Sequence, residues 1–178
     1  MKPVKNYPVK QVKTPIFSAL NKGGFVQKIA SGGRMVAMGL TVLLALSTAQ
    51  KASANFRADT LQAINWVENP SNSPRPGKCG ELGAYQFRAA TWQMHTQRPF
   101  AEAIDRSCSD EVAVLHYEWL KTALAKAGVE PTPYNIALAW NAGVGAVIRG
   151  RAPAVSHDYA QRVTNLVTDL RSRAVAMK

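Results

Sequence analysis

The chain has 178 residues and a formal charge of +11, but residues 1–54 carry eight basic residues and no acid, whereas residues 55–178 carry 14 basic and 11 acidic residues, a balance of +3. A balance that mild in the main body suits an anionic partner and would tolerate weak nucleic-acid contact, but no basic-aromatic RNA word supports nucleic acid as a partner. Two cysteines and three scattered histidines exclude a zinc site, and the 124 residues after position 54 suffice for one domain with one modest core and no second domain.

Residues 1–54 read as a secretion signal. A basic stretch precedes the apolar run MVAMGLTVLLALSTA over residues 35–49, and Ala52-Ser53-Ala54 supplies small residues for a cut after Ala54. A retained anchor is the alternative, but about 15 apolar residues fall short of the roughly 20 that span hydrocarbon. The domain over residues 55–178 is therefore expected outside the cytosol, periplasmic or extracellular, with no stable membrane insertion once the signal is removed. In that compartment Cys79 and Cys108 favour a disulfide over two free buried thiols, and a loop of about 30 residues closed this way is worth roughly 3 kcal/mol.

Asp59 or Thr60 can cap a first helix with Leu61, Ile64 and Val67 on its apolar face, and Asn69-Pro70 ends it because the residue before proline avoids the helical region. Glu68 then falls on its last turn. Residues 70–83, rich in Pro, Ser, Asn and Gly, form an irregular loop or short hairpin. A short helix follows over about 88–95 and another near 100–105. Ser109 is placed as the cap of a longer helix carrying Val112, Leu115, Trp119 and Leu120, stopped by Gly128. Thr132-Pro133 pairs a cap with a proline at the first helical position, opening a helix through Ile136, Ala139 and Trp140 that Gly143 and Gly145 interrupt. A further turn is expected over 146–149. Ser156 is placed at the start of the closing helix, whose stripe is Tyr159, Val163, Leu166, Val167 and Leu170. No long strand is expected, so the domain is mostly α with a small β-turn region in the loop. Trp92, Trp119 and Phe87 are read as core.

Three words carry chemistry: Trp66-Val67-Glu68-Asn69-Pro70, Gly83-Ala84-Tyr85-Gln86 and Ala139-Trp140-Asn141-Ala142-Gly143. A carboxyl group at a helix C-terminus opposes the helix dipole, a placement that function explains more readily than stability. Burial beside aromatic rings would keep it protonated near neutral pH, as a general acid requires. Gln86 and Asn141 offer the paired donors and acceptors that N-acetyl groups and sugar hydroxyls demand, although short amides also cap backbone. Glu81, 13 residues beyond Glu68, is either a second carboxylate or an ion-pair partner of Arg88 or Lys78.

In their order and spacing these words resemble the lysozyme-like domain of the lytic transglycosylase family, over residues 59 to about 170. In that family an acid at a helix end, usually followed by serine, precedes Gly-Leu-Met-Gln, then Ala-Tyr-Asn-Ala-Gly, then a tyrosine on the closing helix, here Tyr159. The resemblance implies a lysozyme-like single domain that cleaves the β-1,4 bond between N-acetylmuramic acid and N-acetylglucosamine in peptidoglycan. It implies Glu68 as general acid and base, with the muramic acid's own 6-hydroxyl attacking C1 to leave a 1,6-anhydro end. Tyr85, Gln86, Trp140, Asn141 and Tyr159 are the implied substrate-binding set, with no cofactor, no metal and a monomer meeting glycan strands. Three positions depart from the family: Asn69 stands for serine, Tyr85 for methionine, and Trp140 for the tyrosine whose hydroxyl bonds the acid. Tyr159 is then the hydroxyl expected to reach Glu68. A hydrolytic muramidase using Glu81 and a non-catalytic peptidoglycan-binding domain are the alternatives.

Overall fold

The computed structural model describes residues 56–177, so the expected secretion signal lies outside the described residues. The elements in order are α1 (residues 56–68), α2 (Ala89–Gln93), a 3₁₀ turn (Phe100–Ile104), α3 (Arg106–Lys126), α4 (Pro133–Ala142), α5 (Val144–Ile148) and α6 (Ala154–Ala176). The domain is mostly α, as expected. Among the described residues no strand forms beyond an isolated antiparallel bridge in the loop, where Leu82 N–H donates to the Phe87 carbonyl at 3.0 Å and Phe87 N–H returns the bond at 2.9 Å. None of the described helices is long and apolar enough to cross a membrane.

The core is built around α4. Ile136, Ala137, Leu138 and Ala139 are all buried, and four consecutive residues cover a full turn of helix, so α4 is wrapped on every side rather than laid on a surface. Around it pack Tyr159, Ala160, Val163 and Val167 of α6 and Val112, Ala113, Tyr117, Leu120 and Leu124 of α3, while Leu61, Ala63 and Ile64 of α1 complete the same core. Each fully buried aliphatic side chain among these contributes about 1.5–3 kcal/mol of transfer free energy.

At Pro70, Gly128, Pro133 and Gly143 the helix limits fall as expected, whereas Gly145, expected to interrupt the chain, lies inside α5. Thr132 Oγ1 accepts from Asn135 N–H at 3.2 Å with Pro133 in the first turn of α4. After α3, Gly128 (φ +74°) lets its own N–H reach the Ala125 carbonyl and the Val129 N–H reach that of Leu124, both at 3.0 Å. This is the paired closure that a left-handed residue after a helix permits.

At three other positions read as caps, Thr60, Ser109 and Ser156, the helix starts earlier. Asp105, not Ser109, caps α3: its carboxylate accepts from Cys108 N–H at 2.8 Å. A carboxylate at this end both satisfies a free N–H and complements the helix dipole, so it displaces the serine, which is buried inside α3. Thr60 lies within α1 and bonds back to the Phe56 carbonyl at 2.7 Å, and α6 starts at Ala154, two residues before Ser156. The second helix is shorter than expected, and the third is a 3₁₀ turn.

The expected disulfide is corrected. Cys79 is exposed in the loop and Cys108 sits in the first turn of α3, and both are free thiols. The two are not near each other: Cys79 N–H is held on the Glu81 carboxylate and Cys108 N–H on that of Asp105, so no bridge forms between them. Trp119 is also not core: it is 40% exposed, unlike Trp92, which is fully buried with its indole N–H on the Arg98 carbonyl at 2.9 Å.

Candidate active site

The loop between α1 and α2 is pinned by amides. Asn65, buried on α1, donates to the carbonyls of Ala84 (2.8 Å) and Asn69 (3.2 Å) and lies 3.0 Å from Asn72 Oδ1. Arg106 of α3 donates to Asn65 Oδ1 and Asn72 Oδ1, each at 3.2 Å, and grips Asp110 at 2.8 and 2.9 Å. Asn69, which stands where the resembled family has serine, spends its whole amide on the loop: it donates to the Ser73 and Gly83 carbonyls and accepts from Ser73 N–H. It therefore orients the loop rather than the carboxyl group beside it. Gly83 (φ +77°) is required by protein packing, since a Cβ there would stand 1.7 Å from the Ala103 carbonyl oxygen of the 3₁₀ turn.

This loop forms one wall of a cleft of about 510 Å³. Glu68 at the end of α1, Gly77, Lys78, Glu81 and Gln86 of the loop, Arg88 and Thr91 at α2, His116 of α3, and Trp140, Asn141 and Gly143 at the end of α4 line it. Glu68 is half-buried, and burial is the main reason its carboxyl is pushed above the ordinary range, with the negative charge of Glu81 adding to the shift. The Tyr159 hydroxyl and, more weakly, Arg162 pull the other way. The Tyr159 ring is buried on α6, and burial together with the neighbouring Glu68 charge raises its hydroxyl in turn. Its hydroxyl makes no hydrogen bond of standard length and angle, yet it is near enough to Glu68 for each to shift the other. An orphaned buried hydroxyl costs about 1–3 kcal/mol, so the bond to Glu68 is the one this geometry is poised to close.

Glu81 is held in the opposite state. Its carboxylate accepts from Cys79 N–H at 2.9 Å and pairs with Arg88 at 3.4 Å, and backbone hydrogen bonds first, then Arg88, hold it below the usual carboxylate range. Gly77 makes room for this seat: a Cβ there would come within 2.6 Å of both Glu81 Oε2 and Gln86 Oε1. The cleft thus holds a carboxyl group biased towards protonation and a carboxylate biased towards ionisation, the division of labour that lets one fold run acid chemistry beside a fixed negative charge.

Two amides face this pair. Gln86 takes up a left-handed backbone (φ +47°) that non-glycine residues rarely adopt, of the kind found at functional sites. Its Nε2 donates to the Gly83 carbonyl at 3.0 Å, leaving Oε1 as an acceptor. Asn141 accepts from Ser156 at 2.7 Å through Oδ1, and no acceptor among the described residues takes its N–H groups. One free acceptor and one free donor set are the complement of an acetamido group. Trp140 lies against Phe87 and Tyr85, with ring centroids 5.7 and 6.0 Å away.

Of the residues singled out in the sequence, Glu68, Glu81, Gln86, Trp140 and Asn141 come together on the cleft, and Tyr159 stands behind Glu68. Tyr85 does not reach it: the ring is 3% exposed and its hydroxyl donates to Asp110 at 2.7 Å, so it supports Trp140 from beneath. Asp110 of α3 is thereby part of the support. His116 and Arg162 went unread in the sequence, because a histidine among apolar residues of α3 and an arginine three positions after Tyr159 carry no motif of their own. The Tyr159 to Arg162 spacing, one helical turn, is the signal that could have found the second. Among the described residues no group of three or more metal-ligating side chains comes together. Comparison with protein-family models, curated proteins and solved structures finds no match to the chain.

Proposed function

We propose that this domain is a lysozyme-like enzyme that cleaves the β-1,4 glycosidic bond of peptidoglycan, with Glu68 as general acid and then general base. The observation that carries the proposal is Glu68 itself, a carboxyl group at the end of α1, opening on a cleft, raised by burial and by a second, ionised carboxylate. A raised carboxyl keeps its proton at the pH where the glycosidic oxygen needs it, and such proton transfer is worth about 10²–10⁴ in rate. The resemblance of the three words to lytic transglycosylases supports the substrate class. The free acceptor of Gln86 and the free donors of Asn141 support recognition of an N-acetylated sugar.

In the transglycosylase form of this reaction Glu68 protonates the leaving oxygen as the C1–O bond breaks. The resulting carboxylate then takes the proton of the muramyl 6-hydroxyl, whose oxygen bonds to C1, so no water is consumed. The Tyr159 hydroxyl, next to Glu68, is placed to steady the carboxyl once the bond between them closes. A second form is favoured by one observation, the presence of Glu81 on the same cleft: there the second carboxylate orients a water for hydrolysis. The masses of the products distinguish the two, since hydrolysed ends are heavier than anhydro ends by one water. Digestion of purified peptidoglycan by the exported domain, beside a Glu68→Gln variant, tests the whole proposal.

A further inference from the structure

We propose that Trp119, with His95 and His116, forms an additional sugar subsite that continues the cleft along α3, and that its ligand is an N-acetylhexosamine ring of the same strand, several residues from the bond at Glu68. The inference rests on the glycan-cleaving proposal for its ligand class, but on separate residues for its geometry.

Trp140 and His116 both line the cleft, with rings edge to face at 4.8 Å. Trp119, one turn beyond His116 on α3, lies next to that wall, just outside the cleft lining: its ring is nearly parallel to His116, at 11° and 5.7 Å. It is 40% exposed, and its indole N–H has no partner among the described residues. The apolar face of a pyranose packs on such a ring, while the free N–H and neighbouring polar atoms meet its hydroxyls. Thr91 of α2 lines the cleft, and His95, four residues on and just past the end of α2, packs on both His116 and Trp119 with ring centroids 5.1 and 6.4 Å away.

The two histidines make this ledge polar without charging it. His95 Nε2 lies 2.9 Å from His116 Nδ1. In a neutral pair one N–H is used between the rings, so whichever tautomers are present, His95 Nδ1 and His116 Nε2 are left as one donor and one acceptor. Burial, then the His95 charge, pushes His116 down to about 4, and burial lowers His95, so the pair stays neutral at physiological pH.

The test uses the exported domain carrying Glu68→Gln, so that ligand is not consumed, with ¹⁵N-labelled indoles observed by NMR. Trp119→Phe assigns the Trp119 signal. Di- and hexasaccharides of β-1,4-linked N-acetylglucosamine are the probes. The hexamer is expected to shift the Trp119 indole signal and the dimer to leave it in place. Trp119→Leu, which keeps an apolar side chain on an exposed face, is expected to weaken hexamer binding about tenfold while dimer binding holds. A hexamer that saturates the cleft without moving the Trp119 signal overturns the inference, as does a Trp119→Leu variant that loses both ligands equally. If the Trp119 signal shifts but the wild-type domain fails to cut peptidoglycan, the subsite stands and the catalytic proposal falls. If the wild type cuts and the Trp119 signal stays put, only the subsite falls.

Discussion

Glu68→Gln should abolish cleavage and stabilise the fold, two effects of opposite sign from one substitution. Glutamine is close in shape to a protonated glutamic acid and keeps an acceptor for the Tyr159 hydroxyl, so packing is preserved. What it removes is a negative charge that is half-buried, sits at a helix C-terminus and faces the ionised Glu81. Each of those placements is unfavourable, and together they cost on the order of 1 kcal/mol when Glu68 ionises. Because the folded-state value is raised, the native protein carries its full Glu68-linked stability below the ordinary glutamate range and loses it as pH rises through the raised value. The variant does not lose it. For a domain of this size about 1 kcal/mol corresponds to a rise in Tm of about 4 °C. Thermal unfolding at neutral pH and again at about pH 4, near the ordinary glutamate value, measures this: a higher Tm for the variant at neutral pH, with the gap closing in acid. A variant that is less stable at neutral pH would mean that the carboxylate is welcome in the fold, and the account of a proton held on Glu68 would be refuted.

Three further substitutions read the same site. Tyr159→Phe removes a hydroxyl that lowers Glu68, and Glu81→Gln removes a charge that raises it, so the basic limb of the pH-rate profile should move up in the first and down in the second. Tyr159→Phe should also lower kcat by about tenfold through lost orientation of the acid. Glu81→Gln separates mechanisms: a shifted profile with its maximum rate nearly intact marks an electrostatic role, while a loss of about 10² or more at every pH marks a carboxylate that activates water. Gly83→Ala adds a Cβ at positive φ against the Ala103 carbonyl and should destabilise the domain by more than about 3 kcal/mol, a fall in Tm of about 10 °C or more, measured by calorimetry.

Backbone punctuation was legible in the sequence wherever a residue has no alternative. Asn69-Pro70, Thr132-Pro133, Gly128 and Gly143 act through a fixed or positive φ, and the ends of α1, α3 and α4 fall there. Serine and threonine caps were less legible because a hydroxyl competes with any nearby carboxylate: Asp105 took the role given to Ser109, and Ser156 turned instead to Asn141. The disulfide was inferred from compartment and count, and neither says whether a loop and the start of a helix approach. Trp119 lay on the apolar spacing of its helix, yet faces outward beside His116. The three words hold residues that line the cleft, Glu68, Gln86, Trp140 and Asn141, but a word cannot tell a lining side chain from its support, and Tyr85 and Asn69 are struts.

The central claim is that Glu68 donates the proton that breaks a glycan bond. Mass spectrometry of soluble products from purified peptidoglycan, incubated with the wild-type domain and with Glu68→Gln, tests it most directly. The account predicts disaccharide-based fragments with 1,6-anhydromuramyl ends from the wild type and none from the variant. Equal release by both proteins, or no release by either, would contradict it.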